Sequence, residues 1–309
     1  MLLRTTRPDV IFSALPAANV VLAIANRISG ARAALFTSHH SPVATFDRRL
    51  EQLDRWLGGT DAVHGVICVS DAVRSSLSRV GRRYAAKIRV VRNALPPAVE
   101  TLITELRSGP MRRVGPRRRV VACGHLTPQK NHAVLIRAMA ALPDAALDIV
   151  GGGPDEAALR HLAITSGVSG RVTFHGQRDR CDTLALMAEA DVFAQPSLFE
   201  GHSIALLEAV ALGLPLVVSN VPSQVEAVTR RDGALCALVH DVQDSAALAA
   251  ALRQVLGDDA THAELRRLTG SLHAESHFGE MVDHYEALAL SARGTRQVRV
   301  TGIPSEVRP

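Results

Sequence analysis

Two glutamates stand eight residues apart in the stretch F-E-G-H-S-I-A-L-L-E-A, which covers residues 199–209. Glu200 lies beside a glycine, whereas Glu208 lies within an apolar run. Burying an ionised carboxylate is costly unless a partner pairs with it. Glu208 therefore faces either water or a polar ligand, and its apolar neighbours leave little polar face for the first alternative.

The residues between the two glutamates add hydrogen-bond donors. Gly201, His202 and Ser203 precede a predicted helix that begins at Ile204. Free N–H groups at the start of a helix favour an anion. We expect these N–H groups to point into the same space as the two carboxylates. Glu200 would enter that space from the loop and Glu208 from the flank of the helix. Donors for a phosphate beside acceptors for sugar hydroxyls are the combination that a nucleotide sugar requires.

A second candidate stretch is G-H-L-T-P-Q-K-N-H, residues 124–132, between a predicted strand and a predicted helix. Gly124 allows the backbone to approach a ligand closely. Lys130 lies near the helix start, where an anion is already favoured. It is one of two lysines in a chain with 33 arginines. We expect Lys130 to contact a phosphate, and a solvated surface cation is the alternative.

A third stretch, V-G-G-G-P-D-E at residues 150–156, is rich in glycine and follows a predicted strand. A dinucleotide-binding loop of the G-x-G-x-x-G type would need a small residue at position 156. Glu156 stands there instead and would repel a pyrophosphate. The stretch is therefore interpreted as a tight turn in which Pro154 or Asp155 opens the next helix.

Short β-branched runs alternate with longer amphipathic runs, which is typical of strands followed by helices. The predicted strands are 8–15, 33–38, 66–70, 88–92, 120–124, 146–151, 172–176, 191–197 and 215–220. The predicted helices are 19–28, 46–56, 71–80, 132–142, 156–166, 181–190, 204–212, 245–256, 261–273 and 277–291. Apolar strands in this alternation predict an α/β fold with parallel sheets covered on both faces.

The alternation is interrupted at residues 108–119, where two Gly-Pro steps and five arginines indicate a linker. Two such halves around a linker predict two Rossmann-like domains that face each other across a cleft. The predicted division is a first domain at 1–107, a second domain at 120–275, a helix at 276–292 that packs back toward the first domain, and a tail at 293–309.

Composition limits the class of protein. With 309 residues and a hydrophobic fraction of 47%, the chain can bury a sizeable core. No apolar run is long enough to span a bilayer, because the run 10–25 is interrupted by Ser13, Pro16 and Asn19. Four scattered cysteines without a CxxC spacing, and no cleavable signal pattern, are typical of a cytosolic protein with reduced thiols.

Charge is unevenly distributed along the chain. Residues 1–119 carry 20 Lys+Arg and 8 Asp+Glu, a balance of +12, whereas residues 120–309 carry 15 and 22, a balance of −7. A basic first half favours an anionic partner such as phosphate or acidic lipid, and an arginine-rich solvated surface is the alternative. Aromatic residues make up only 3%, too few for the stacking platforms of single-stranded nucleic-acid binding. We therefore expect no nucleic-acid partner.

Four stretches, taken in their order and spacing, resemble the retaining glycosyltransferases of glycosyltransferase family 4. They are G-H-L-T-P-Q-K-N, L-D-I-V-G-G-G-P, A-E-A-D-V-F-A-Q-P-S and F-E-G-H-S-I-A-L-L-E-A-V-A-L-G-L-P-L-V-V-S-N-V. The glutamate pair matches the family's E-x7-E motif, and the likeness covers nearly the whole chain, most strongly residues 118–228. The resemblance implies the GT-B fold, two Rossmann-like domains whose parallel sheets face a cleft.

The resemblance also implies roles for residues of the second half. In the family, the first glutamate lies against the donor sugar and the second binds the ribose hydroxyls, positions that Glu200 and Glu208 occupy. Backbone groups of residues 201–204 would meet the sugar and the phosphates. Lys130 matches a lysine that binds the diphosphate next to the turn at Gly124. The family's arginine on that loop is replaced by His125, a weaker diphosphate partner than a guanidinium group.

In the first half, F-T-S-H-H-S-P resembles the family segment that carries a histidine near the reacting sugar. His40 is the better match and His39 the second, and an ordinary loop histidine is the alternative. P-D-V-I, residues 8–11, comes almost at the start, whereas the family has several elements before it. The resemblance therefore predicts a truncated first domain. The sequence would then be a fragment, a chain with a misassigned start or a decayed copy.

The implied reaction moves a sugar from a UDP- or GDP-linked donor to a hydroxyl of a lipid-linked or saccharide acceptor, with retention, in cell-envelope polysaccharide, lipopolysaccharide or glycolipid synthesis. Glu200, His40 and Lys130 are the expected catalytic residues, and no metal or other cofactor is expected. The expected location is the cytoplasm, with a peripheral contact to acidic membrane.

Three alternatives remain open at this stage. One is a truncated, non-catalytic remnant that binds a nucleotide sugar without transfer. Another is a different GT-B enzyme, such as an epimerase or a phosphorylase. An NAD-dependent Rossmann enzyme is the last, and Glu156 in the glycine-rich stretch disfavours it.

Overall fold

Two parallel sheets organise the computed structural model, which describes residues 2–30, 33–108 and 119–292. The first sheet has the order β1-β2-β3-β4, with every neighbouring pair parallel. Its strands are β1 (Val10–Ala14), β2 (Ala34–His39), β3 (Gly65–Cys68) and β4 (Ile88–Val90). The helices of this part are α1 (Leu2–Thr6), α2 (Pro16–Ser29), α3 (Arg48–Gly58), α4 (Asp71–Ser76), α5 (Arg82–Ala85) and α6 (Pro97–Ser108).

The second sheet has six strands in the order β10-β9-β8-β5-β6-β7. They are β5 (Arg119–Cys123), β6 (Ala146–Val150), β7 (Val172–Gly176), β8 (Val192–Gln195), β9 (Leu216–Ser219) and β10 (Leu238–His240). The helices that accompany them are α7 (His132–Ala138), α8 (Glu156–Thr165), α9 (Arg180–Ala188), α10 (Ile204–Leu212), α11 (Pro222–Ala227), α12 (Ser245–Gly257), α13 (Asp259–His273) and α14 (Phe278–Ser291).

The strand order of the second sheet reverses at β5. The chain runs outward through β6 and β7, returns to place β8 on the other side of β5, and continues through β9 to β10. In parallel α/β sheets such a reversal opens a crevice at the carboxyl ends of the two central strands. The loops that follow β5 and β8 therefore line one crevice, and they carry Lys130 and Glu200.

The strands form because their side chains are apolar and covered on both faces. All residues of β3, β8 and β9 are buried. Apolar clusters lie on both sides of the second sheet, and a third lies between the first sheet and its helices. The opposite face of the first sheet is covered by α14, whose Met281, Tyr285 and Leu288 pack against Phe36 and Ile67. Glu280 of the same helix lies 3.3 Å from Arg231 of the second domain, so α14, the last helix of the described residues, contacts both domains.

Helix α6 belongs with the second domain, although the predicted division placed residues up to 107 in the first. Its buried Val99 and Ile103 lie in the apolar cluster of α9 and α10, and Arg107 Nη1 donates to the carbonyl of Ala211 at 3.1 Å. The boundary between the domains therefore lies before Pro97. Of the predicted linker, residues 109–118 lie outside the described part of the chain, as does the predicted tail 293–309.

Most predicted elements have their counterparts in the structure, with shifted ends. The predicted helix 71–80 ends at Ser76, where the Ser76 hydroxyl donates to the carbonyl of Val73 and accepts from the N–H of Val43. Such local hydroxyl bonds compete with helix continuation. The sequence analysis did not predict α1, α5, α6, α11 and β10.

Candidate functional site

Glu200 is almost fully buried, and fixed donors surround its carboxylate. Lys130 Nζ lies 2.7 Å from Glu200 Oε1, and the Ser197 hydroxyl donates to the same oxygen at 2.7 Å. The backbone carbonyl of Glu200 accepts from the hydroxyl of Ser223 at 2.8 Å. A buried charge is stable only with this kind of pairing. The loop after β5 and the loop after β8 therefore meet through an ion pair.

The loop after β5 is also held by Asn131, which stands in a left-handed conformation before α7. Its Nδ2 donates to the carbonyl of Pro196 at 3.1 Å and to that of Val242 at 2.9 Å. Both bonds tie the start of α7 to the loops after β8 and β10. The two bonds fix the backbone of this loop, from which the side chain of Lys130 extends into the crevice. His125 on the same loop has an exposed side chain.

The glycine-rich stretch after β6 makes room for the loop after β5. A Cβ at Gly151 would lie 2.1 Å from the carbonyl oxygen of Gly124, and a Cβ at Gly153 would lie 2.5 Å from that of Leu126. The interpretation as a tight turn is confirmed, since α8 begins at Glu156 with Asp155 at the preceding cap position. The close approach of two backbones explains Gly151 and Gly153.

Glu208 is buried on the flank of α10 and does not face open solvent. Arg180 Nε, at the start of α9, lies 3.5 Å from Glu208 Oε1. Burial raises the pKa of the Glu208 carboxyl, and Arg180 opposes that rise. A carboxylate in this position, with a half-exposed guanidinium as its ion-pair partner, is available to accept hydrogen bonds from a polar ligand.

Glu208 and Lys130 share one end of the second sheet. Burial raises the pKa of the Cys123 thiol at the carboxyl end of β5, and the charges of Glu208 and Lys130 both act on it with opposite sign. Coulomb interactions of this kind decline with distance. Lys130 lies against the residue that follows β5, since a Cβ at Gly124 would lie 2.9 Å from Lys130 Cε. Glu208 belongs to α10, whose Leu207 and Ala209 are buried in one apolar cluster with Cys123 of β5.

The start of α10 presents backbone donors beside these charges. The Ser203 hydroxyl caps the helix by accepting from the N–H of Leu206 at 3.4 Å, and it donates to Gln195 Oε1 at 3.0 Å. Ile204, the first helical residue, is half-exposed. The predicted donor-site residues 201–204 thus form a capped helix start at the crevice.

The side chain of His202 lies at the seam between the domains instead of beside Lys130. It lines a cavity of about 470 Å³ together with Arg92, Glu226 and His277. Burial lowers the pKa of this imidazole to about 4. Its carbonyl accepts from Asn93 Nδ2 at 2.9 Å. Any contact of His202 with a ligand in the crevice would therefore come from its backbone.

His40 follows β2 of the first domain and meets the glutamate loop of the second. A Cβ at Gly201 would lie 2.0 Å from the His40 carbonyl oxygen, so the two backbones touch. The ring of His40 is exposed, and its Nε2 lies 2.9 Å from the Ser38 hydroxyl. His39 is buried, and its Nε2 lies 3.0 Å from the Tyr84 hydroxyl. Of the two histidines, His40 is thus the accessible one.

Three residues of the site were not singled out from the sequence. Ser197 and Ser223 hold Glu200, and Arg180 faces Glu208. Ser197 lies in the A-D-V-F-A-Q-P-S stretch, three residues before Glu200, so its position was visible in the resemblance. No local pattern marks Ser223 or Arg180, because their partners lie far along the chain.

None of the helices in the described part of the chain is long and apolar enough to cross a membrane. Within residues 2–30, 33–108 and 119–292, no group of three or more His, Cys, Asp or Glu side chains is arranged to hold a metal ion.

Comparison with known families identifies the class of protein. The family described as Glycosyl transferases group 1 matches residues 111–269, just over half of the 309 residues. The family described as Glycosyltransferase Family 4 matches residues 1–99. The chain belongs to the glycosyl transferases of group 1.

Several curated proteins are similar to part of the chain. A GDP-mannose-dependent monoacylated alpha-(1-6)-phosphatidylinositol monomannoside mannosyltransferase of Corynebacterium glutamicum is 36% identical over 169 residues, which are 51% of this chain and 42% of that protein. The lipopolysaccharide core biosynthesis glycosyltransferase LpsE of Rhizobium meliloti is 34% identical over 146 residues, 47% of this chain and 42% of LpsE. The matched region thus spans less than half of either relative.

Solved structures show the same architecture. HepE of Anabaena, in complex with UDP and glucose, superimposes with a TM-score of 0.80 at 23% identity, covering 94% of this chain and 80% of HepE. Sucrose-phosphate synthase of Thermosynechococcus elongatus gives a TM-score of 0.74 at 21% identity, covering 92% of this chain and 73% of the synthase. The predicted GT-B fold, two parallel-sheet α/β domains, is confirmed.

The packing of the two glycine-bearing loops makes a prediction about stability. Gly153→Ala should destabilise the fold by about 1–3 kcal/mol, because the new methyl group would press on a backbone carbonyl that cannot rotate away. Gly152→Ala is the matched control, since its Cβ would meet atoms no closer than 3.7 Å. Thermal unfolding followed by circular dichroism measures both, and equal melting temperatures would contradict this account of the loop.

Proposed function

We propose that the protein is a retaining glycosyltransferase that moves a sugar from a nucleotide-sugar donor to an acceptor hydroxyl. The observation that carries the proposal is the cluster at the reversal of the second sheet. There Lys130 and Glu200 form an ion pair, and the backbone of His40 touches Gly201. Glu208 is buried in α10, which packs against Cys123 at the end of β5. Family membership and the GT-B fold support the same function.

The ion pair suggests how the donor enters. A diphosphate carries more negative charge than one carboxylate, so it would compete with Glu200 for Lys130 Nζ. Glu200 would then be free to accept a hydrogen bond from a sugar hydroxyl. In this proposal Lys130 and the N–H groups at the start of α10 hold the diphosphate, and Glu208 accepts from the ribose hydroxyls. The exposed His125 contributes less than an arginine would.

The proposed reaction proceeds on one face of the sugar. The bond between the anomeric carbon and the diphosphate oxygen breaks, while the acceptor oxygen bonds to the same carbon from the same side. The acceptor proton passes to the departing diphosphate, so no glutamate forms a covalent bond. Lys130 stabilises the charge that develops on the leaving group, and His40 contacts the sugar at the reacting centre. The proposal requires no metal or other cofactor.

Nucleotide binding is the first prediction of this proposal. UDP, GDP or ADP at about 100 times its dissociation constant should stabilise the fold by about 2.7 kcal/mol, which raises the melting temperature by several degrees. Glu208→Ala should abolish the shift because the ribose loses its acceptor. Glu264→Ala should keep it, since Glu264 pairs with Arg267 on the exposed side of α13. A thermal-shift titration with each nucleotide measures these effects. A melting temperature that none of the three nucleotides changes would contradict a donor site here.

Turnover with retention is the second prediction. Release of UDP from UDP-glucose or of GDP from GDP-mannose should fall at least about 100-fold in Lys130→Ala and Glu200→Ala, the size of effect seen when a charge-stabilising group is removed. Proton NMR of the product should show the anomeric configuration of the donor, in the presence of EDTA as well. Inversion at the anomeric carbon, or full rates in both variants, would overturn the assignment.

A non-catalytic protein that binds a nucleotide sugar without transfer is the second candidate, favoured by His125 in place of the family's arginine. Such a protein would bind a nucleotide but would not cleave a nucleotide-sugar donor, whichever acceptor is added. The two experiments above therefore separate this candidate from the enzyme. An epimerase or phosphorylase would release nucleotide, or convert the donor, independently of an acceptor hydroxyl.

We place the protein in the cytoplasm, in synthesis of cell-envelope polysaccharide or glycolipid on a lipid-linked or saccharide acceptor. Support for a reducing compartment comes from the cysteines of the described part, where Cys68, Cys123 and Cys236 are buried and Cys181 is exposed, all as free thiols. No nucleic-acid partner is proposed. The names of the relatives, which include a phosphatidylinositol mannoside mannosyltransferase, support a glycolipid acceptor.

A peripheral contact with acidic membrane is part of the proposal. Helices α2 and α3 pack together and expose Ile28, Leu53 and Trp56, and Arg48 and Arg49 are exposed at the start of α3. Exposed apolar side chains among arginines are typical of a surface that binds anionic lipid.

Trp56 is the single tryptophan of the chain and reports on this contact directly. Its fluorescence should shift to the blue with phosphatidylglycerol vesicles and remain unchanged with phosphatidylcholine vesicles. The double variant Arg48→Gln, Arg49→Gln should weaken the effect, and added salt should weaken it in the parent protein. An emission spectrum that is insensitive to anionic vesicles would contradict a membrane contact through α2 and α3.

A further inference from the structure

The carboxylate of Glu226 crosses the seam between the domains. Glu226 lies in α11 of the second domain, and its two oxygens accept from backbone N–H groups at the start of α4 in the first. Oε1 accepts from the N–H of Asp71 at 2.9 Å, and Oε2 accepts from the N–H of Ala72 at 2.8 Å. The Ser70 hydroxyl accepts from the next donor, Val73 N–H, at 3.1 Å. The first turn of α4 is thus completed by a residue of the other domain.

Arg92 strengthens this contact. Its Nη2 and Nε donate to Glu226 Oε1 at 2.8 and 3.2 Å, and Nη2 also lies 2.6 Å from Asp71 Oδ2. The guanidinium group is more than half exposed, so water weakens its share. The Glu226 side chain is only 18% exposed, and its bonds to backbone donors at a helix start are charge-assisted. Those two bonds carry most of the contact.

Helix α11 also holds the loop of Glu200. The Ser223 hydroxyl donates to the Glu200 carbonyl at 2.8 Å, and Gln224 Nε2 donates to the Ser219 hydroxyl at 2.8 Å. Ser219 donates in turn to the carbonyl of Ser197 at 2.6 Å. A helix of only six residues therefore contacts the first domain through Glu226 and the loop that carries Glu200 through Ser223.

We propose that Glu226 is a positioning residue that sets the placement of the two domains and, through α11, keeps Glu200 opposite His40. As far as the reaction is concerned, this inference rests on the proposed glycosyl transfer; the placement of the domains does not depend on it. The donor-binding side chains Lys130 and Glu208 lie within the second domain, so nucleotide affinity should not depend on Glu226.

The decisive experiment measures the distance between the domains in the full chain. Cys181 is the exposed native cysteine of the described residues and takes a spin label on the second domain. Gln52→Cys, on the exposed side of α3, supplies a label on the first domain. In this doubly labelled protein, Glu226→Gln should broaden or shift the distance distribution from pulsed EPR, because an amide accepts through one oxygen only and cannot serve both N–H groups. Glu264→Gln, which changes a Glu–Arg pair within α13, should leave the distribution unchanged.

Kinetics supply the second readout, on unlabelled protein. The assay measures release of UDP from UDP-glucose or of GDP from GDP-mannose. Glu226→Gln should lower kcat at least about tenfold, which corresponds to about 1.4 kcal/mol. KM and the Kd of the free nucleotide should stay within about twofold of the parent values. Glu226→Asp keeps the charge and should recover part of kcat; it also replaces Glu226→Gln should that variant not fold.

The outcomes separate this inference from the proposed function. Distance distributions that coincide for the parent, Glu226→Gln and Glu226→Asp would overturn the inference, whatever the enzyme does. A parent protein that binds no nucleotide would overturn the proposed function, and the EPR result would still decide the role of Glu226. A parallel loss of nucleotide affinity and kcat would show a role in donor binding and would contradict positioning.

Discussion

A buried carboxylate must find fixed donors, and the architecture around Glu200 follows from that requirement. Its partners Lys130 and Ser197 come from the loop after β5 and from the end of β8. These segments adjoin because the strand order reverses at β5, which is where a parallel sheet opens a crevice. The strand order thus creates the crevice, and the ion pair joins the two loops that line it.

Close approach of backbones is the second constraint. The loops after β5 and β6 contact through positions where a methyl group has no room, and the same holds for the contact between His40 and Gly201. Main-chain geometry thus fixes the loops, and the side chains of Lys130 and Ser197 then fix the Glu200 carboxylate. Glu208 comes from a buried helix, whereas Lys130 comes from a loop segment without buried residues.

Local patterns predicted nine of the ten strands in the described residues and the helix at Ile204–Leu212, since each depends on neighbours in sequence. What they missed depends on partners far along the chain. Helix α6 was not predicted, and the predicted boundary at 107 gave its residues to the first domain, whereas Val99 and Ile103 are buried against α9 and α10. The side chain of His202 lies at the seam, where its carbonyl accepts from Asn93, more than a hundred residues earlier in the chain, and its place in the donor site stays a prediction. Arg180 and Ser223 carry no motif and became visible only through their contacts with Glu208 and Glu200.

The domains meet through main-chain groups of the first as well as through side chains. The His40 carbonyl and the N–H groups of Asp71 and Ala72 contact the second domain, and any amino acid except proline at these positions would preserve them. Arg92 and Asn93 add hydrogen bonds from their side chains. Side chains elsewhere on the first domain can therefore diverge without disturbing this junction. In evolutionary terms, positions 40, 71 and 72 can change their side chains while these main-chain contacts persist, whereas Arg92 and Asn93 are constrained by the bonds that their side chains donate across the junction.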